Sequence, residues 1–292
     1  MCPASVRNVT ISASELSAVL SDNASSSTSF VVLEVGRRGG DDVDPRRSYA
    51  AGHIPGAHYV EFEADLVGSP TGSSGHGPLP AVGDLQERLR DWGVDDGGTV
   101  VVHTRQNPAV AARAWWILRW AGVANTLCLD GGLAAWQAFG GPLDTDVPPR
   151  AAGTAVVRPG SLAVLSAEDA GRLAAAGHLV DARAPEAYAG DPGRTGTGHI
   201  PGAHSIPGSE NFSGGRLRDT AELRALYAGH LDGRAVGAYC GGGVSATTTV
   251  LALASLGVEA ALYPGSWSAW ITDPARPTAT GPAPGARPPA AR

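Results

Sequence analysis

Two rhythms of apolar and polar positions alternate along the 292-residue chain, and the alternation occurs twice. Short apolar runs rich in β-branched residues, at Phe30 to Val35, Thr99 to His103 and Asn125 to Leu129, predict strands. Apolar positions at helical spacing predict helices over Ser12 to Leu20, Leu85 to Trp92 and Ala109 to Trp120. The second half repeats the order. Its strands are expected at His178 to Ala182, Ala235 to Tyr239 and Ala260 to Tyr263, and its helices at Ala167 to Ala176, Ala221 to Ala228 and Ser245 to Leu256. Ser12-x-x-Glu15 and Ser166-x-x-Asp169 each place a hydroxyl and a carboxylate where they satisfy the free amides of a helix start. This alternation predicts an α/β fold, with parallel strands covered by helices on both faces and ligands beyond the carboxyl ends of the strands.

The halves also share words. Gly52-His-Ile-Pro-Gly-Ala-His58 recurs letter for letter at Gly198 to His204, displaced by 146 positions. Asp130-Gly-Gly-Leu-Ala-Ala-Trp136 corresponds to Pro264-Gly-Ser-Trp-Ser-Ala-Trp270. The chain therefore reads as a tandem duplication: a first domain over 1–140, a proline-containing linker over 141–160, a second domain over 161–272, and a Pro, Ala and Gly-rich tail over 273–292 expected to be disordered. Gly52 to Trp136 spans 84 positions and Gly198 to Trp270 spans 72, so the first half holds 12 more. Most of the excess falls in Gly68 to Pro78, a loop long enough to reach across a cleft between the halves.

Composition narrows the chemistry. Apolar residues at 43% and charged residues at 17% describe a globular chain able to bury real cores. A net charge of −6 repels polyanions, so neither nucleic acid nor an anionic membrane is expected as a partner. All 22 basic residues are arginine, which removes Schiff-base, phosphate-loop and general-base lysine chemistry. Cys2, Cys128 and Cys240 are far apart, suggesting neither a disulfide framework nor a zinc site, and a reducing cytoplasm fits. No signal peptide, membrane span, metal or organic cofactor is read.

The strongest chemical signal is Cys240-Gly-Gly-Gly-Val-Ser245, set between a predicted strand end and a predicted helix start. Consecutive glycines let backbone amides converge on one atom, and the helix dipole adds positive potential, a setting that favours a thiolate. Such a thiolate is a nucleophile and can hold a persulfide while one sulfur atom is passed on. The alternative is an inert buried cysteine beside a tight turn, the reading given to Cys128 and Cys2.

These features resemble the two-domain rhodanese family of sulfurtransferases. The resemblance rests on the duplicated GHIPGA segment, Ala112-Arg-Ala-Trp-Trp116, Leu129-Asp-Gly-Gly132, Asp181-Ala-Arg183, the Cys240 loop, and Tyr263-Pro-Gly-Ser-Trp-Ser-Ala-Trp270. It implies two tandem rhodanese-like domains, each a five-stranded parallel sheet with flanking helices, and catalysis in the second. Aligning the equivalent helices puts Arg105 or Gln106 where the second half has Cys240, so the first domain is expected to lack a nucleophile.

In the family, a loop of the form Cys-Gly-Ser-Gly-Val-Thr accompanies 3-mercaptopyruvate and basic loops accompany thiosulfate, so the neutral run Cys240, Gly241, Gly242, Gly243, Val244 and Ser245 is nearer the former. Gly242 replaces the family serine that helps relay a proton, and Ser245 resembles the loop-closing threonine. Of two family arginines that hold the substrate carboxylate, Arg194 matches one, whereas the other falls at Ala187. Arg183 is either a substitute for it or half of a structural ion pair with Asp181. His76 aligns with a first-domain histidine near the catalytic cysteine, and Glu63 with its acidic partner; His76 then serves as a proton donor or is simply a solvated loop residue.

The expected activity is transfer of sulfane sulfur from 3-mercaptopyruvate through a Cys240 persulfide to a thiol, cyanide or sulfur-carrier protein. A thiosulfate enzyme and a sulfur-relay module acting with a protein partner are the alternatives. Phosphoryl transfer on this fold needs Cys-x5-Arg, and Ala246 occupies the arginine position.

Overall fold

The computed structural model describes residues 8–22, 29–39, 44–149 and 152–285. In the first half, β1 (Thr10–Ile11), β2 (Phe30–Gly36), β3 (His58–Glu61), β4 (Thr99–His103) and β5 (Asn125–Leu129) form one parallel sheet in the order β1-β5-β4-β2-β3. In the second half, β6 (Leu179–Asp181), β7 (His204–Ser205), β10 (Val236–Tyr239) and β11 (Ala260–Leu262) form a parallel sheet in the order β11-β10-β6-β7. Between β7 and β10 lies an antiparallel hairpin, β8 (Phe212–Ser213) and β9 (Arg216–Leu217).

The second sheet corrects the expectation of five strands in each half. Where the first sheet has β1 beside β5, the second has a single parallel bridge from Val164 to Leu262. Only one residue pairs there, so no strand is propagated.

The helix Pro108–Trp120 is apolar all round, the pattern of a helix with no solvent face, and all but its first residue is buried. Pro108 sits in its first turn and the Asn107 side chain accepts from the Ala109 amide, a compact start. It packs on the second domain's helix Ala246–Ser255, and one continuous core joins residues of both halves, Trp115 and Trp116 with Val250 and Leu251 among them.

The described residues of the segment after the first domain form no helix, and they run along that domain. Asp144 exchanges two backbone bonds with His53, Ala155 donates to Val94, and Arg158 donates to Ala121. The expectation of a disordered tail is corrected for 273–285. The Ala279 and His199 backbones exchange two bonds at 2.8 and 2.9 Å, Gly281 donates to Ala189, and Trp270 Nε1 donates to Pro277. Low apolar content there did not prevent docking, because main-chain groups supply the contacts. The rest of the tail and Cys2 lie outside the described residues.

Candidate active site

The verbatim repeat lets the two sheets be superposed residue by residue. His58 and His204 close the repeat and pair with Leu33 and Val180, so Glu34 is equivalent to Asp181. Glu34 pairs with His103 and Asp181 with Tyr239, which makes Thr104 the equivalent of Cys240. A second contact agrees: Leu133 donates its amide to the Thr104 carbonyl, as Trp267 does to that of Cys240. The placement of Arg105 or Gln106 there is therefore corrected by one or two positions. Helix alignment misplaced it because Thr104 is four residues before Pro108 and Cys240 six before Ala246.

Thr104 lacks a thiol, and Arg105 turns away into an ion pair, with Nε 2.5 Å from Glu34 Oε1 and Nη2 donating to the Gly52 carbonyl. The β8–β9 hairpin of the second domain closes this first-domain site. Leu217 donates to Asp130, and a cavity of about 140 Å³ remains among Thr104, Gln106, Asp130 and Gly215.

Cys240 follows β10 directly and is 2% exposed. Gly241 to Val244 form a bend, and Ser245 precedes the helix Ala246–Ser255 with a helical backbone and no capping side-chain bond. The three glycines have unequal roles. Gly243 alone has positive φ, 81°, and a Cβ there would lie 2.5 Å from the Pro264 carbonyl oxygen. Gly242 faces His76, whose Cβ would stand 3.2 Å from an added Cβ, and Gly241 faces open space.

The expected ring of amides around the sulfur is replaced by a residue that sequence reasoning missed. Among the described residues, the group in hydrogen-bonding reach of Cys240 Sγ is the Ser266 hydroxyl at 4.0 Å, not a loop amide. That hydroxyl also accepts from the Cys240 amide at 3.1 Å and reaches the Tyr263 carbonyl at 2.9 Å. One hydroxyl proton serves either Tyr263 O or Sγ, so a turn of the O–H brings a donor to the sulfur. Ser266 has φ 53°, the one non-glycine residue at positive φ among the described residues, and its counterpart Gly132 has φ 56°. A left-handed serine where the first repeat has glycine is local strain kept for a contact, a pattern that marks functional positions. The replacement of Gly132 by Ser266 between the repeats was the signal available in the sequence.

The first-domain loop does reach across. Gly75 lies against the Gly265 carbonyl and Gly77 against that of Gly242, where added Cβ atoms would approach to 2.5 and 2.3 Å. The His76 amide donates to Ser268 Oγ at 3.0 Å. His76 is thus brought to the Cys240 loop, and its side chain is exposed there, as a solvated loop histidine would also be. Glu63 is not joined to it: its partner is Arg37, 3.2 Å away.

Arg183 is half of a structural pair. It bonds Asp181 at 2.5 Å and the Gly198 carbonyl at 2.7 Å, and its guanidinium lies 4.7 Å from the Trp267 ring. Its role as a substrate ligand is corrected, because Nε and Nη2 are engaged by Asp181 and the Gly198 carbonyl and its side chain is 10% exposed. Glu34 and Arg105 do the same work in the first domain, each arginine holding the first glycine of its repeat. Arg194 lies exposed in the turn Asp191 to Thr197, whose Gly196 carbonyl accepts from Trp267 Nε1 at 3.3 Å. Ala187 is exposed in the short helix Pro185–Ala189.

The rhodanese-like domain family matches residues 41–139 and again 166–273. A Mycobacterium tuberculosis protein named "Putative thiosulfate sulfurtransferase SseB" is 42% identical over 251 residues, covering 82% of this chain and 88% of that protein. One from Pseudomonas aeruginosa named "Probable 3-mercaptopyruvate sulfurtransferase" is 40% identical over 253 residues, 80% of this chain and 87% of that one. The crystal structure of SseA from Escherichia coli, described as a 3-mercaptopyruvate enzyme, superposes with a TM-score of 0.75 at 29% identity, covering 89% of this chain and 99% of that one. With its two matching domains, these relatives and a cysteine at the strand-to-helix turn of the second repeat, the chain belongs to the rhodanese family and is a sulfurtransferase.

Proposed function

We propose that the protein takes sulfur from 3-mercaptopyruvate. The observation that carries this reading is the Cys240 loop itself, Gly241 to Ser245, which offers no cationic side chain to a sulfonate. A thiosulfate dianion beside a thiolate needs such cations at hand, whereas the mercapto-oxo acid carries one carboxylate at a distance from its sulfur. Cys240 Sγ attacks that sulfur, the carbon–sulfur bond breaks, and its electron pair passes to the carbon that becomes the enolate of pyruvate. His76 supplies a proton to the product, and the Ser266 hydroxyl turns toward the sulfur that has become a persulfide. A thiol, cyanide or sulfur-carrier protein then attacks the outer sulfur, the S–S bond breaks, and Cys240 leaves as thiolate. With Cys128 and Cys240 free, the reaction suits a reducing compartment such as the cytoplasm, and among the described residues no helix is long and apolar enough to cross a membrane.

Intact mass after brief exposure to each donor tests the reading. One added sulfur from 3-mercaptopyruvate in preference to thiosulfate is expected on the wild type and none on Cys240→Ser. Preference for thiosulfate would transfer the assignment to the activity named for the mycobacterial relative. Arg194 is assigned to the donor carboxylate, so Arg194→Ala raises KM for 3-mercaptopyruvate about tenfold or more while cyanide transfer from a preloaded persulfide is unchanged.

A further inference from the structure

The cation of this active site comes from behind the loop and from the other domain. Arg113 lies in the first domain's helix Pro108–Trp120 and is fully buried. Its Nη1 donates to the Gly243 carbonyl of the cysteine loop at 3.0 Å, and its Nη2 donates to the Gly77 carbonyl of the crossing loop at 3.0 Å. The Trp116 ring lies 5.7 Å from its guanidinium, and its buried Nε has no hydrogen-bond partner. Among the described residues no carboxylate stands within ion-pair distance of it. Two carbonyls solvate a guanidinium but do not neutralise it, and an isolated buried charge is costly. The one ionisable side chain that acts on it electrostatically is Cys240.

We propose that Arg113 is a positioning residue that provides the buried counter-charge of the Cys240 thiolate and of the persulfide, delivered from the non-catalytic domain through the Gly243 carbonyl. This deepens the proposed sulfur transfer and rests on it. Burial pulls Arg113 down to about 10, and the cysteine anion opposes that fall. The geometry also shapes the loop. Because the peptide is planar and trans, holding the Gly243 carbonyl toward Arg113 aims the Val244 amide in the opposite direction. The same guanidinium fastens Gly77, so the loop carrying His76 and the loop carrying Cys240 share one clamp. A neutral loop thus acquires its positive charge without placing a side chain in the donor's path, and only the two halves together make the nucleophile.

The test is alkylation of Cys240 by iodoacetamide against pH, read by mass spectrometry of its own peptide in the full-length wild type, Arg113→Gln, Arg113→Met and Arg113→Lys. The other polar side chains against the loop, Ser266 and His76, are the same in every arm, as is the Asp181–Arg183 pair beside it. The midpoint of the profile reads charge, whereas its high-pH plateau reads access. Arg113→Gln and Arg113→Met should move the midpoint to higher pH by about one unit or more, a roughly tenfold slower reaction at pH 7, and Arg113→Lys should restore most of it. Unchanged midpoints in both neutral variants would overturn the proposal. If neither folds, the wild type is compared with Cys240→Ser: a counter-charged thiolate makes the melting temperature of the wild type rise relative to the variant between about pH 6 and 9, and a constant difference would overturn the proposal. Alkylation needs no donor, so a midpoint shift in a protein that loads no sulfur would sink the sulfur-transfer reading and leave the pairing intact.

Discussion

Ser266 shows how much one residue decides. The equivalent first-domain position is glycine, and a Cβ on Gly132 would approach the Thr104 carbonyl oxygen to 2.4 Å. The second domain accepts a side chain in that left-handed conformation and obtains from it a hydroxyl between Tyr263, the Cys240 amide and the sulfur. Ser266→Gly keeps the backbone conformation and removes the hydroxyl, so it should melt no more than a few degrees below the wild type. It should nonetheless slow sulfur transfer about ten- to a hundredfold, the worth of one hydrogen bond to a charged group. Ser266→Ala should lose as much activity and also keep the strain. Wild-type turnover in Ser266→Gly would remove Ser266 from the chemistry.

At the level of elements, the crossing loop Gly68 to Pro78 and the cysteine loop fit only because glycine meets glycine. Gly77 has no need of a left-handed backbone; what excludes a side chain is the Gly242 carbonyl, 2.3 Å from the Cβ it would carry. Gly77→Ala therefore pushes the two loops apart without touching either domain's core. A fall of tenfold or more in the rate of persulfide loading is expected, with a stability loss of about 1–3 kcal/mol, the usual cost of overpacking. Loading measured by mass, beside a denaturant curve, checks both, and unaltered loading would show that the loop contact is dispensable. The loop's reach was legible in the extra length of the first half, but its landing point was not, because no local pattern encodes which carbonyl a glycine will meet.

For the whole molecule, buried histidines set the response to acid. His103 is fully buried, with no hydrogen bond at either ring nitrogen and Nε2 3.7 Å from Glu34 Oε2, and burial pushes it down to about 3, helped by Arg105 and His53. His230 is pushed down to about 4, by burial first and then by His204 and His178. Both are neutral in the folded chain at pH values where the unfolded chain, near 6.5, takes up protons. Stability is therefore whole above about pH 6.5 and declines as pH falls toward 4, each histidine lowering the folding constant by up to about tenfold per unit. Melting temperatures measured from pH 7.5 to 4.5 should fall steadily below 6.5, and a flat profile would contradict this account. The core is continuous across the halves, so the loss should appear in one transition and not two.

The sequence alone determined the duplication, the central strands and long helices, the cysteine at the second-half strand end and the family, because repeats, periodicity and a strand-Cys-Gly-Gly-Gly-helix run are local properties. Strand cores such as Thr99–His103 and Asn125–Leu129 lie where the apolar runs place them, whereas two-residue strands such as Thr10–Ile11 carry too few positions to show a period. Tertiary structure decided the rest. It placed Thr104 opposite Cys240, since register follows from hydrogen-bonded neighbours and not from helix ends. It also turned Arg183 into a strut and docked the tail through main-chain bonds. Arg113, one of two arginines in an apolar helix, reads in sequence as a blemish in a core pattern. Folding carries it against the cysteine loop 130 residues away, and only there does its charge have a partner.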